Sequence, residues 1–350
     1  MAESLLIYNA ILIPALVCSI GIKACRGWGE WAIRVLLFAV MTIPAALRYN
    51  IGTDYSAYVS IYSSSAQLFS RVEIGFAGLN YLLYHAGISV EWMFVIMAVL
   101  IYAPIAFGVR KKYIVPTIVF YMLTAYLPSF SMIRQSLVIS WILVAVLRYL
   151  DDDHIGRLYI TIAAAAFIHL SAVIVLPFVL FRRIHISAWW VLLLLPVAFV
   201  FIKNGLIDLI FESDLFLDSK YGIYAASKFN RQTVIGSGLG IVLKMLTPLL
   251  YIILARHLDR RYDVVLYLSA GFLVAVMLST QVHIFNRLAD LLSLAPIIAF
   301  SVMYDKVRKP LWLIVITALM AINFQQTIRA NQSSKGSGLG ITPYVTIFDK

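Results

Sequence analysis

The chain has 350 residues, 62% of them apolar and only 13% charged, whereas a soluble domain is nearer half apolar with about a quarter charged. Apolar runs of bilayer-crossing length recur from end to end, which excludes a soluble globule, and an outer-membrane barrel would show short alternating segments instead. The formal charge of +11 would suit nucleic acid in a soluble protein. Here the basic residues fall in short clusters between apolar runs, so the charge reads as membrane topology and no nucleic-acid partner is expected.

The first run, 4–22, has no basic leader and no small-residue cleavage pattern after it, and is expected to be a retained helix. Cys18 and Cys25, in or just beyond it, lack any metal or disulfide spacing. The second run, 31–47, passes directly into Arg48-Tyr49-Asn50-Ile51-Gly52-Thr53-Asp54-Tyr55, with Tyr58 and Tyr62 following. A cation, a carboxylate, a glycine and several tyrosines gather where a helix meets water. That is either an interfacial tyrosine belt with a snorkelling arginine or a site. The next apolar stretch, 73–88, is short and interrupted by Gly75, Gly78, His85 and Gly87. The span 48–89 is therefore expected to be one external loop holding an amphipathic or re-entrant helix.

Further runs follow at 90–109, 114–130, 133–150, 158–181, 187–206, 239–256, 262–280, 286–304 and 311–324. The dense basic loops are Lys23 with Arg26, Arg110-Lys111-Lys112, Arg256 with Arg260-Arg261, and Lys306 with Arg308 and Lys309. The Lys/Arg bias assigns them to the cytoplasm. That assignment requires 158–181 to be two short segments, hinged at His169-Leu170-Ser171 with Pro177 beyond, as in a broken or hairpin helix buried in protein. The expected fold is all-α and polytopic, with about 12 membrane segments in a single integral membrane domain over 1–350 and both termini outside. An external loop over 207–238 has the length of a lid or binding loop. The external polar tail, 325–350, reads in its Gly/Ser part as flexible linker.

Under this topology several polar groups reach the outer side: Arg48 with Asp54, Arg71 with Glu73, Arg134 with Gln135, His169 with Ser171, and His283, Asn286, Arg287 and Asp290. Ionisable residues in membrane segments are costly unless paired or hydrated, so each is a candidate. Each also has a structural reading. Arg134 can be an interfacial arginine, or an anion ligand at a helix N-terminus. His169 can be hydrogen-bonded structure, or a general acid or base at a helix break. Arg287 and Asp290, three apart, can neutralise each other on one helix face, and Arg71 can do the same for Glu73. Tyrosines such as Tyr55 and Tyr58 can line a sugar groove, because their rings offer an apolar face and a hydroxyl. Together these residues outline an outward-facing, cation-lined cavity suited to an anionic ligand on a lipid. No metal-ligand spacing, phosphate loop or nucleophile elbow accompanies it, so no cofactor is expected.

In order along the chain, Arg48, Gly52-Thr53-Asp54-Tyr55 with Tyr58, Glu73 and Gly75, Arg134-Gln135, His169 with Ser171-Ala172, Arg287 and Pro343-Tyr344 form a pattern that resembles the EpsG/Wzy-type polysaccharide polymerases of bacterial inner membranes. The resemblance implies polymerisation of exopolysaccharide, capsule or O-antigen repeat units at the periplasmic face. A growing glycan would pass from its undecaprenyl diphosphate carrier to a sugar hydroxyl of the next lipid-linked unit. The expected partners are that lipid-linked oligosaccharide, membrane lipids and a chain-length regulator protein. Arg48, Arg134 and Arg287 are the choices for the diphosphate, where fixed cations meet developing charge. His169 is the first choice of base, with Asp54 and Glu73 behind it, and Gln135, Tyr55, Tyr58 and Tyr344 are assigned to the sugar or acceptor groove. Metal independence is expected. The alternatives are an O-antigen ligase and a non-enzymatic transporter or flippase of lipid-linked sugars.

Overall fold

The computed structural model describes residues 2–64, 72–152, 154–207, 209, 212–213, 238–255, 257–330 and 339–349. Among these, eight helical stretches are long and apolar enough to cross a membrane, and three shorter apolar helices accompany them. The protein is all-helical and multi-pass, with no β-strand among the described residues. The chain falls into two compact units, Met1–Leu176 with Pro310–Lys350, and Pro177–Lys309.

The first unit opens with α1 (Ala2–Ala24) and α2 (Gly27–Leu47), which pack on each other. Two short helices follow, α3 (Tyr55–Ser63) and α4 (Ile74–His85). At 1.5 Å per residue α4 is about 18 Å long, too short for a hydrocarbon layer of about 30 Å. Next come α5 (Val90–Ala103), extended by a π-helical turn over Pro104–Gly108, and α6 (Lys111–Thr124). α7 (Ile133–Asp152) is the hub of this unit. Leu137, Val138, Ile142, Leu143 and Val146 bury more than one of its faces, as a helix surrounded by others must. α7 packs against α5 and against α8 (Ile155–Ile168).

The run 158–181 is broken, as its polar centre predicts. α8 stops at His169, whose backbone is extended at φ −154 and ψ 113. A 3-10 turn over Leu170–Val175 then leads to α9 (Leu176–Phe181). The last helix of the unit, α15 (Pro310–Ala330), packs on α1 and α6 and continues past the expected boundary at 324.

The second unit contains α10 (Ala188–Phe201), α11 (Leu239–Leu254), α12 (Asp263–Ser279), α13 (Phe285–Leu291) and α14 (Leu294–Val302). α12 is its hub, packing on α10, α11, α13 and α14. The 207–238 loop lies almost wholly outside the described residues, as do Arg71 and Arg256.

Candidate functional site

Arg48 ends α2, and its backbone pairs with Thr346 in an isolated antiparallel bridge. Around that bridge the segment 339–349 lies along 48–53 as a strap. Tyr49 N–H donates to Val345 O and Gly52 N–H to Gly340 O, both at 2.9 Å. Ser131, just before α7, joins the two sides: its hydroxyl donates to Leu339 O at 2.7 Å and accepts from Thr53 N–H at 3.1 Å. Tyr8 donates to Ile341 O, and Tyr344 donates to Pro44 O. Gly52 is required here. Its φ is +100, and a Cβ would lie 2.2 Å from the Phe130 carbonyl oxygen, a position open only to glycine.

The strap and α2 enclose the Arg48 side chain, and the residue is 2% exposed. One guanidinium nitrogen donates to Ala45 O. Nε and the other Nη have no hydrogen-bond partner among the described residues. The guanidinium lies 4.9 Å from the Phe94 ring centroid and 5.4 Å from that of Phe130, contacts worth about 2 kcal/mol when desolvated. Asp54, its neighbour in sequence, makes no ion pair with it. Asp54 instead begins α3, where its carbonyl accepts from Tyr58 N–H. Arg48 is thus a buried cation held by aromatic faces, with no carboxylate partner among the described residues.

A second group of charges assembles where α4, α7 and the break after α8 meet. Glu73 precedes α4, and its two carboxylate oxygens divide their work. Oε2 accepts from Arg134 at 2.5 Å. Oε1 accepts from His169 Nδ1 at 2.9 Å and from Leu170 N–H at 3.0 Å. The break in α8 frees that Leu170 N–H from the helical ladder, and a carboxylate on it also suits the start of the 3-10 turn. Gly75 lets α4 come this close, because a Cβ there would lie 2.7 Å from Phe167 O. Arg71, expected beside Glu73, lies outside the described residues, and Arg134 fills that role.

Burial would raise the Glu73 carboxyl, but hydrogen bonds from His169 and Leu170 N–H, with the Arg134 charge, outweigh it and hold the group at about 2. A carboxylate accepting from His169 fixes the proton on Nδ1, which leaves the Nε2 lone pair of the neutral ring available. Nε2 has no hydrogen-bond partner among the described residues. The side chains of Arg134, Glu73 and His169 are 20%, 22% and 24% exposed, so a ligand can reach this group.

Aromatic residues separate the two cations. Tyr55 stacks on Phe94 at 4.5 Å. Tyr58 packs edge-on against Phe94 and Phe76, with the Arg134 charge close to its hydroxyl. Arg134 lies 5.3 Å from the Phe76 ring. Tyr55 and Tyr58 are therefore buried packing residues rather than walls of an open groove. Gln135 is also buried, and Tyr344 is half-buried beside Arg48. Arg287 belongs to the second unit. There Asp290 has Lys244, Arg287 and His283 around it, and Asn286 lies 3.2 Å from His283 Nδ1. Phe94, Phe130 and Ser131 are site residues that the sequence reading missed. Ser131 carried a usable signal, a hydroxyl just before an apolar helix that begins with Ile133-Arg134.

A family model described as EpsG family matches residues 31–346. The chain belongs to the EpsG family. EpsG proteins are Wzy-type polysaccharide polymerases, so a role in polysaccharide polymerisation follows from membership. The EpsG match spans both units and every candidate residue above. Searches of curated proteins and of solved structures gave no match.

Proposed function

We propose that this EpsG protein polymerises oligosaccharide repeat units carried on undecaprenyl diphosphate at the periplasmic face of the bacterial inner membrane. The observation that carries the reading is the Glu73 carboxylate, which holds His169 by Nδ1 and Arg134 by its guanidinium in one accessible group. His169 Nε2 takes the proton of the acceptor sugar hydroxyl as its oxygen attacks the anomeric carbon of the growing glycan. The bond between that carbon and the diphosphate oxygen breaks, and the lipid diphosphate leaves with the electron pair. Arg134 stabilises the charge that develops on the leaving group. Arg48 adds a fixed positive charge from the low-dielectric interior behind the aromatic layer. Arg287, which shares the surroundings of Asp290 with Lys244 and His283 in the second unit, is a further candidate cation for the lipid-linked substrate.

The test is reconstituted enzyme with a synthetic diphosphate-linked repeat unit, with products resolved on a gel. Wild type should yield a ladder of longer glycans. Arg134→Ala and His169→Ala should leave the single lipid-linked unit unconsumed at normal expression. Polymer of normal length and amount from Arg134→Ala would overturn the reading.

A further inference from the structure

The hairpin of α7 and α8 carries charge at both ends. Arg134 and His169 mark the end described above. At the other end, near Ile155, a cavity of about 280 Å³ is lined by Arg148, Asp152, His154, Arg157 and Thr161 over an apolar floor that includes Trp141 and Ala145. The 20 residues of α7 span about 30 Å at 1.5 Å each, the thickness of the hydrocarbon layer. The two ends of the hairpin therefore lie at opposite membrane interfaces.

The cations of this cavity are unevenly provided with partners. Asp151 and Asp152 are already engaged by Arg110, and Asp151 also by Lys112. Arg157 is left 4.0 Å from Asp152, with its side chain 70% exposed. Arg148 is fixed at its base, Nε–H donating to Gly108 O at 2.9 Å. Its two Nη groups have no protein partner among the described residues. A guanidinium anchored in this way presents a ready fork to a tetrahedral anion. Below the fork, the Trp141 indole is itself fixed by its N–H to Leu100 O at 2.8 Å.

We propose that this cavity binds the headgroup of an anionic phospholipid, in the leaflet opposite the Glu73 group. The phosphodiester lies between Arg148 and Arg157 with His154 at the rim, and the glycerol and first methylenes cover Trp141 and Ala145. A basic pocket between membrane helices, floored by apolar side chains, is the recurring form of such sites. The apolar floor selects a lipid over a free anion, which would leave that surface wet.

The experiment strips purified protein with mixed micelles of detergent and phosphatidylcholine after exposure to phosphatidylglycerol, then counts retained lipid by native mass spectrometry. Wild type should retain about one phosphatidylglycerol per chain, and Arg148→Gln with Arg157→Gln should lower retention at least tenfold. Ala145→Leu, which fills the floor and leaves every charge in place, should lower it comparably. Arg183→Gln, an exposed cation of the second unit, should retain wild-type lipid. Melting temperature should rise with phosphatidylglycerol in wild type and not in the double variant. Equal retention by wild type and both cavity variants overturns the site. Inorganic phosphate raising the wild-type melting temperature as much as the lipid overturns the lipid assignment.

Discussion

Glu73 and Arg134 are 61 positions apart in sequence and meet at 2.5 Å, and the same carboxylate reaches His169 a further stretch along the chain. One acid thus orients the candidate base and holds the accessible cation. Glu73→Gln keeps the shape and an acceptor for Leu170 N–H, but it removes the charge that holds Nδ1–H and Arg134. Turnover should fall about 10²- to 10⁴-fold, with KM for the lipid-linked unit little moved. Glu73→Asp should recover part of the loss. Steady-state kinetics on reconstituted enzyme check this, and an unchanged kcat in Glu73→Gln would remove His169 orientation from the mechanism.

The same carboxyl predicts a pH dependence of stability. Its folded-state value of about 2 is below its ordinary 4.5, so folding favours the ionised form. The stabilisation is fully present above pH 4.5 and is lost as pH falls through about 2. The melting-temperature gap between wild type and Glu73→Gln should be constant above that window and close progressively within it. A gap that widens on acidification would contradict the sign.

Gly52 and Gly78 give opposite expectations for one substitution. Gly52→Ala puts a methyl group against the Phe130 carbonyl at a φ of +100 and should cost about 2 kcal/mol or more. Gly78 is inside α4 with nothing within 4 Å of a new Cβ, so Gly78→Ala should gain up to about 1 kcal/mol. Thermal melts in one detergent compare them directly.

Arg48→Met separates charge from packing. A buried cation without a carboxylate partner is a cost to folding that an apolar residue of similar length removes, by about 1–4 kcal/mol in comparable replacements. Arg48→Met should therefore melt at or above the wild-type temperature while making little or no polymer. A variant that is both stable and fully active would show that the charge serves neither the leaving group nor the fold.

Much of this was legible in the sequence. The break at His169 was readable because a polar triplet interrupts an apolar run too long to be left unexplained. The short 73–88 stretch was recognisable as too short to span. What was not legible is pairing across distance. Glu73 has a cation two residues away in Arg71, yet its partners among the described residues are Arg134 and His169, and nothing in spacing selects them. The tyrosines of the Gly-Thr-Asp-Tyr stretch suggested a sugar groove by their amphipathic rings, but stacking on Phe94 commits Tyr55 to the interior. The segment after Gly340 offered the Pro343-Tyr344 pair but no hydrophobic period to say what it lies against. Its position comes largely from bonds to and from backbone groups, which any sequence presents.

The strap has a consequence for biosynthesis. Tyr344 reaches a carbonyl 300 positions earlier in the chain, and the Arg48 enclosure is unfinished until Thr346 has been added. At elongation rates of about 5–20 residues per second, the ribosome needs on the order of 15–60 s between the two. For that interval Arg48 waits at the end of an inserted helix with an open side. A chain released just short of this segment would carry the helices α1–α15 and lack the strap beside Arg48, and on the role proposed for Arg48 it should make no polymer.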